Sequence, residues 1–122
     1  VTSTDSILPF NTEYFDVGNN YNTSTYRFTA PYTGKYLMTF EASMISGGTM
    51  TYNAIYILKN GAGTTFRFRG SSNIPTNDWF GISGSVVMDL TAGDYLELSG
   101  YTSGNTMQIV STEGCWSGYY LG

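Results

Sequence analysis

From Lys35 to Ala42 the side chains alternate, with Tyr36, Met38, Phe40 and Ala42 on one side and Lys35, Leu37, Thr39 and Glu41 on the other. A period of two places successive residues on opposite faces of a pleated strand, and no other regular structure has it. The same period recurs in Tyr26–Thr29, Asn53–Lys59, Thr65–Arg69, Trp79–Leu90, Tyr95–Tyr101 and Cys115–Leu121. Turn formers separate these runs: Ala30-Pro31, Thr33-Gly34, Asn60-Gly61 and Thr91–Asp94. They arrive about every 8–12 residues, the spacing of a β-sandwich or jelly roll. No helical period of useful length and no internal repeat interrupts the pattern, which sets aside bundles, solenoids and propellers. The fold expected is all-β.

At 122 residues the chain makes one domain, large enough to bury a core without metal or disulfide support. Residues 1–6 (VTSTDS) lack periodicity and read as a linker, leaving residues 7–122 as the folded unit. A start at Val with no signal or targeting segment implies a stalk or shaft upstream. Aromatics reach 16% and charged residues only 11%, the reverse of a disordered chain. There is no His, so imidazole general-base catalysis and His-ligated metals are excluded. A single cysteine, Cys115, rules out an intrachain disulfide and a thiolate cluster, and reads as a small residue of the last strand. Five basic residues in a chain of net charge −4 do not make a nucleic-acid surface. No apolar run approaches the ~20 residues of a membrane-spanning helix, so membrane insertion is not expected.

Some strands carry apolar residues on the face that a lone sandwich would leave polar. Leu37 lies opposite the Tyr36–Ala42 face, Val87 and Trp79 lie opposite the Phe80–Leu90 face, and the closing strand is apolar on both faces through Trp116, Tyr119, Tyr120 and Leu121. Antiparallel sheets usually solvate one face, and an apolar patch of this extent calls for cover. Self-association is therefore expected, through Leu37, Val87, Trp116, Tyr119 and Leu121.

A catalytic constellation is hard to assemble. Carboxylate pairs could hydrolyse a glycoside, but Asp89 with Glu97, or Asp78, are accounted for by strand faces and turns. Asn19–Asn22 (NNYN) with Asp16 resembles a calcium loop only loosely, without the EF-hand spacing. No cofactor is expected, and a calcium ion held by loop oxygens stays an open alternative. The Gly-rich pieces lack the Lys-Ser/Thr of a phosphate loop. The loops Ser46–Tyr52, Asn73–Trp79 and Tyr101–Asn105 instead hold the Tyr, Ser, Gly, Asn and Thr of binding loops. Asn77, Asp78, Trp79, Tyr101, Ser103 and Asn105 are the candidate ligand residues, joined by Arg67 and Arg69, which point opposite Phe66 and Phe68.

Phe10, Asp16, Tyr21, Phe28, Gly34, Tyr36 and Phe40 fall in the register of the signature of C1q-like globular domains, in the complement C1q and tumour necrosis factor superfamily. The chain resembles that family further in FTAPYTGKY, in YILKNG (Tyr56–Gly61), in SGSVVMDLTAGDYLEL (Ser83–Leu98) and in WSGYYLG (Trp116–Gly122). Met38 stands where Phe is usual and Trp116 where the family has Phe. The resemblance implies a ten-stranded jelly roll forming a homotrimer, a non-enzymatic head that binds proteins, glycans or other surface ligands. With the low charge and the Tyr, Asn, Thr and Gly richness, the expectation is a head at the tip of a bacteriophage tail fibre, on the virion, binding a cell-surface receptor or glycan. The alternatives are a secreted C1q-domain lectin or ligand at an extracellular surface, and a purely structural trimerisation cap.

Overall fold

The computed structural model describes residues 6–9, 20–70 and 74–122. Phe10 and Asp16 of the signature, residues 1–5 of the expected linker, Asn19 and Asn73 lie outside the described residues. Nine strands are present among the described residues, where ten were expected. They are β1 (Ser6–Ile7), β2 (Tyr21–Asn22), β3 (Arg27–Thr29), β4 (Gly34–Ser46), β5 (Tyr52–Lys59), β6 (Ala62–Arg69), β7 (Trp79–Leu90), β8 (Tyr95–Ser103) and β9 (Met107–Tyr120). One sheet has the order β2-β3-β8-β5-β6 with β1 also on β8, and the other has the order β7-β4-β9. Every pairing is antiparallel.

The alternation read from the sequence decides which faces meet. Tyr36, Met38, Phe40, Ala42 and Met44 of β4 are buried, as are Ile82, Met88 and Leu90 of β7. Across the sandwich they face Ile55 and Ile57 of β5 and Leu96 and Leu98 of β8. Phe40 meets the ring of Phe68 on β6 edge to face, with centroids 5.0 Å apart, and Phe28 meets Tyr36 likewise at 5.9 Å. The Phe68 ring lies in the space left by Gly84, where any Cβ would collide with it. These contacts close the two sheets onto each other near the centre of β4.

Three local readings change. Tyr26 is not in a strand: it closes a turn with a left-handed φ of 59°, donating its N–H to the Asn22 carbonyl at 2.7 Å. The Asn22 side chain accepts from Ser24 and Thr25 N–H groups, the habit of Asn in turns. Ser6, at the edge of the expected linker, already pairs with Gly100.

The second difference concerns the β5–β6 hairpin. Asn60 and Gly61 both have φ above zero, 53° and 81°, the two-residue turn that an Asn-Gly pair favours. From that turn a regular ladder would set Tyr56 against Thr65. Instead Leu58 pairs with Gly63 but Tyr56 pairs with Arg67, so β6 carries two extra residues. Thr64 Oγ1 donates to the Ile57 carbonyl at 2.7 Å and accepts from Phe66 N–H at 3.2 Å, which holds this irregularity in place.

The third concerns the closing strand. Trp116 lies opposite Phe40, and Tyr120 opposite Tyr36, so both belong to the core side of the sheet. Opposed residues of a ladder share a face, and only Tyr119, Ser117 and Cys115 of this stretch look outward. Trp116 is thus removed from the outer face on which it was expected; its ring packs against Tyr21 at 5.5 Å.

The Asn60-Gly61 turn is tied to the β7–β8 turn by Asp94. Its carboxylate accepts from Asn60 Nδ2 at 3.0 Å and from Thr91 N–H at 2.9 Å, with Lys59 Nζ 3.5 Å away. The Asn60 bond first, then that of Thr91, hold its carboxyl below the usual carboxylate range against a small opposing effect of burial. A carboxyl with a lower pKa folded than unfolded stabilises the fold fully above the unfolded value, and that contribution fades as pH falls through the folded one. Asp94→Asn is therefore expected to lower the melting temperature at about pH 6, with the gap to wild type narrowing as pH falls below the unfolded carboxylate value of about 3.9. A gap independent of pH would show that the charge on Asp94 does not hold the turns together.

Candidate functional site

The outward face of the larger sheet gathers side chains far apart in sequence. Three ladder rows build it: Arg67 with Tyr56 and Ser99, Arg69 with Ala54 and Tyr101, and Tyr52 with Ser103. Ala54 and Ser99 are small and fully buried, because the large residues in the neighbouring rows lean over them. The Arg67 guanidinium lies over the Tyr56 ring at 4.6 Å and that of Arg69 over Tyr52 at 5.1 Å. Tyr101 meets Tyr52 edge to face at 5.7 Å and Tyr56 at 6.4 Å, and the Tyr52 and Tyr56 hydroxyls are 3.4 Å apart. Burial pushes the Tyr52 phenol up, but the Tyr56 hydrogen bond and the charges of Arg67 and Arg69 outweigh it, so its pKa falls below the ordinary value. The result is a rigid aromatic surface with two exposed cations along one margin.

Of the residues expected to bind ligand, the fold brings Arg67, Arg69, Tyr101 and Ser103 together here. The others lie elsewhere. Asn77 and Asp78 shape the loop before β7: Asn77 donates to the Ser46 carbonyl at 2.9 Å, and Ser46 N–H donates to that of Asp78 at 3.0 Å. Asn77 itself has a φ of 59°. Asn105 donates from Nδ2 to the Thr49 carbonyl at 2.7 Å, joining two loops. Trp79 is exposed on the other sheet, opposite Ile45. The loop Ser46–Tyr52 is less open than its composition suggested, since Ser46 and Met50 are fully buried. Tyr52 and Tyr56 were not foreseen as partners of the arginines, because the two extra residues of β6 set that pairing.

The outward face of the smaller sheet has a row of Tyr119, Leu37 and Val87. Val87 is 52% exposed, Tyr119 45% and the nearby Leu121 56%. Lys35 and Asp89 form an ion pair of 2.7 Å at one end of the row. On the other side the face turns polar, with Thr39, Ser85 and Ser117, then Glu41, Ser83 and Cys115 around a shallow depression. The apolar second face is therefore narrower than the sequence implied. Asp89 and Glu97 lie on different sheets, each matched with a cation, Lys35 and Arg27, so they make no carboxylate pair for glycoside chemistry. Among the described residues no three acidic or Cys side chains converge to hold a metal.

An aromatic cleft of about 300 Å³ opens between β2–β3 and β9, lined by Tyr21, Phe28, Tyr32, Tyr36, Trp116 and Tyr120. Tyr36 donates to the Tyr32 carbonyl at 2.6 Å and accepts from Tyr32 N–H at 2.9 Å, which fixes its wall.

The description C1q domain matches residues 1–121. The chain belongs to the C1q domain family. No curated protein matches it. Among solved structures it is similar to the globular domain of zebrafish complement 1qA protein, with a TM-score of 0.67 and 19% identity over 94% of this chain and 83% of that one. At that identity the likeness is one of fold, and it places this C1q domain as an all-β sandwich of two sheets. The family is non-enzymatic, and its domains generally trimerise and are typically extracellular.

Proposed function

We propose that residues 7–122 form the recognition head of a secreted C1q-domain protein, which assembles as a homotrimer and binds a surface ligand. The observation that carries this reading is the division of labour between the two outer faces. One offers an apolar row of half-buried Leu37 between exposed Val87 and Tyr119, with Leu121 beside it; the other offers the tyrosines with Arg67 and Arg69. An apolar row suits a permanent contact between copies, while rings beside exposed guanidinium donors suit a surface ligand. Placing the head on a bacteriophage tail fibre rests on composition alone and finds no support in the comparisons, so the secreted module is preferred.

Leu37→Asp tests the assembly. Three carboxylates buried at a contact between copies would each lack a partner, which costs far more than the leucine contributed. Wild-type protein is expected to scatter light as a trimer at micromolar concentration, and Leu37→Asp as a folded monomer. A wild-type monomer at that concentration would sink the proposal. Wild-type protein that assembles but adsorbs to no cell surface or glycan would leave only a structural cap.

A further inference from the structure

The chain has five cations, and three of them face a carboxylate: Arg27 with Glu97 at 3.3 Å, Lys35 with Asp89 at 2.7 Å and Lys59 with Asp94 at 3.5 Å. Arg67 and Arg69 have no carboxylate partner among the described residues. Among the described residues, the two cations without a carboxylate partner thus stand on one face of one strand, two residues and roughly 7 Å apart. Each guanidinium rests its flat face on a tyrosine ring. Stacking of this kind uses the π-face and leaves the in-plane N–H donors for a carboxylate or sulfate.

Resting on the recognition reading above, we propose that the face of Tyr52, Tyr56, Tyr101, Arg67 and Arg69 binds an acidic glycan. Its carboxylate or sulfate groups sit on the two guanidinium edges, and its sugar rings lie against the tyrosines. The tyrosines stand on β5 and β8, which are paired on both sides within the sheet. Over the tyrosines no backbone donor or acceptor is spare for an extended acidic peptide, the end strand of the sheet being β6 with the arginines, so affinity there must come from rings and hydroxyls. The C–H faces and hydroxyl groups of a sugar match those, and Ser103 next to Tyr52 adds one more hydroxyl. Glu97, one row beyond Ser99 on the same face, is paired with Arg27 and so opposes a polyanion only weakly.

Calorimetric titration of the whole protein with four hexamers tests this: oligogalacturonate, sulfated dextran oligosaccharide, maltohexaose and hexaglutamate. At least one acidic glycan is expected to bind about tenfold or more tighter than the neutral maltohexaose and than the peptide, and the arm that binds names the anion. Arg67→Gln with Arg69→Gln is expected to weaken it by about tenfold or more. Tyr101→Leu, which leaves both charges, is expected to weaken it by several-fold, roughly as loss of one ring contact. Unchanged melting curves would show that both variants fold. Equal binding of hexaglutamate, acidic-glycan binding indifferent to the arginine pair, or no acidic-glycan binding would each overturn the assignment. In the last case, adsorption of wild-type protein to a cell surface would leave the recognition reading standing, and its absence would remove both.

Discussion

Phe40→Ala is expected to lower the stability of this domain by about 3–5 kcal/mol, the upper range for truncating a buried aromatic. Phe40 sits midway along β4, with Gly84 on one flank and Trp116 on the other, and its ring meets Phe68 of the opposite sheet. The cost of such a truncation depends on how far the neighbours collapse into the space left behind. Gly84 has no side chain to offer, and the Phe68 ring is already seated against it. The cavity should stay open and both sheets should lose their central contact. For a domain of this size the melting temperature should fall by roughly 10–20 °C. Phe40→Leu, which keeps most of the volume, should cost about 1–2 kcal/mol. If Phe40→Ala melts within a few degrees of wild type, the sheets are not joined through this ring.

Gly114→Ala should be nearly as damaging, for a different reason. Gly114 has a φ of +108°, and a Cβ there would drive into the backbone carbonyl oxygen of Glu41 on the neighbouring strand. A flexible side chain could swing away, but a ladder carbonyl cannot. At this place the β4–β9 register slips: Ala42 pairs with Gly114, but Met44 pairs with Ile109. The substitution adds an unfavourable dihedral to a clash that only broken pairing relieves, together about 2–5 kcal/mol. Gly93 supplies the control, with φ +94° and nothing within 4 Å of an added Cβ. Gly93→Ala should cost about 1 kcal/mol, the dihedral effect alone. Equal melting shifts for the two variants would mean that the Glu41 carbonyl exerts no steric control.

Much of the sandwich was readable because its two strongest strands alternate cleanly. Trp79–Leu90 matches β7 end to end, and Tyr36, Met38, Phe40 and Ala42 all proved to be core. β4 runs on to Ser46, past the legible pattern, because a buried Ser gives no apolar signal; this one donates to the Pro75 carbonyl. Trp116 was misread as part of a second face. Glycines at positions 114 and 118 blank the alternation there, and only pairing with Phe40 and Tyr36 shows the side to which the rings turn. For the candidate site, the split of Phe66 and Phe68 from Arg67 and Arg69 was legible, but the tyrosines beneath the arginines were not. A hairpin with a two-residue turn predicts its own register, and the extra residues near Thr64 override that prediction. Tyr101 arrives from β8, a strand whose place beside β5 depends on non-local packing.

The central position of β4 also has a consequence in time. Both of its neighbours, β7 and β9, come later in the chain, and β9 ends at Tyr120. The smaller sheet cannot close until the ribosome has delivered residues 107–120, and until then the edge of β4 that takes β9 stays unpaired. Local hairpins such as β5–β6 can form early, whereas β4–β9 must close a loop of most of the domain. Such a topology places refolding on the slow side, roughly milliseconds to seconds. A nascent head waits with one edge of its middle strand open, and until closure that edge is available to copies on neighbouring ribosomes.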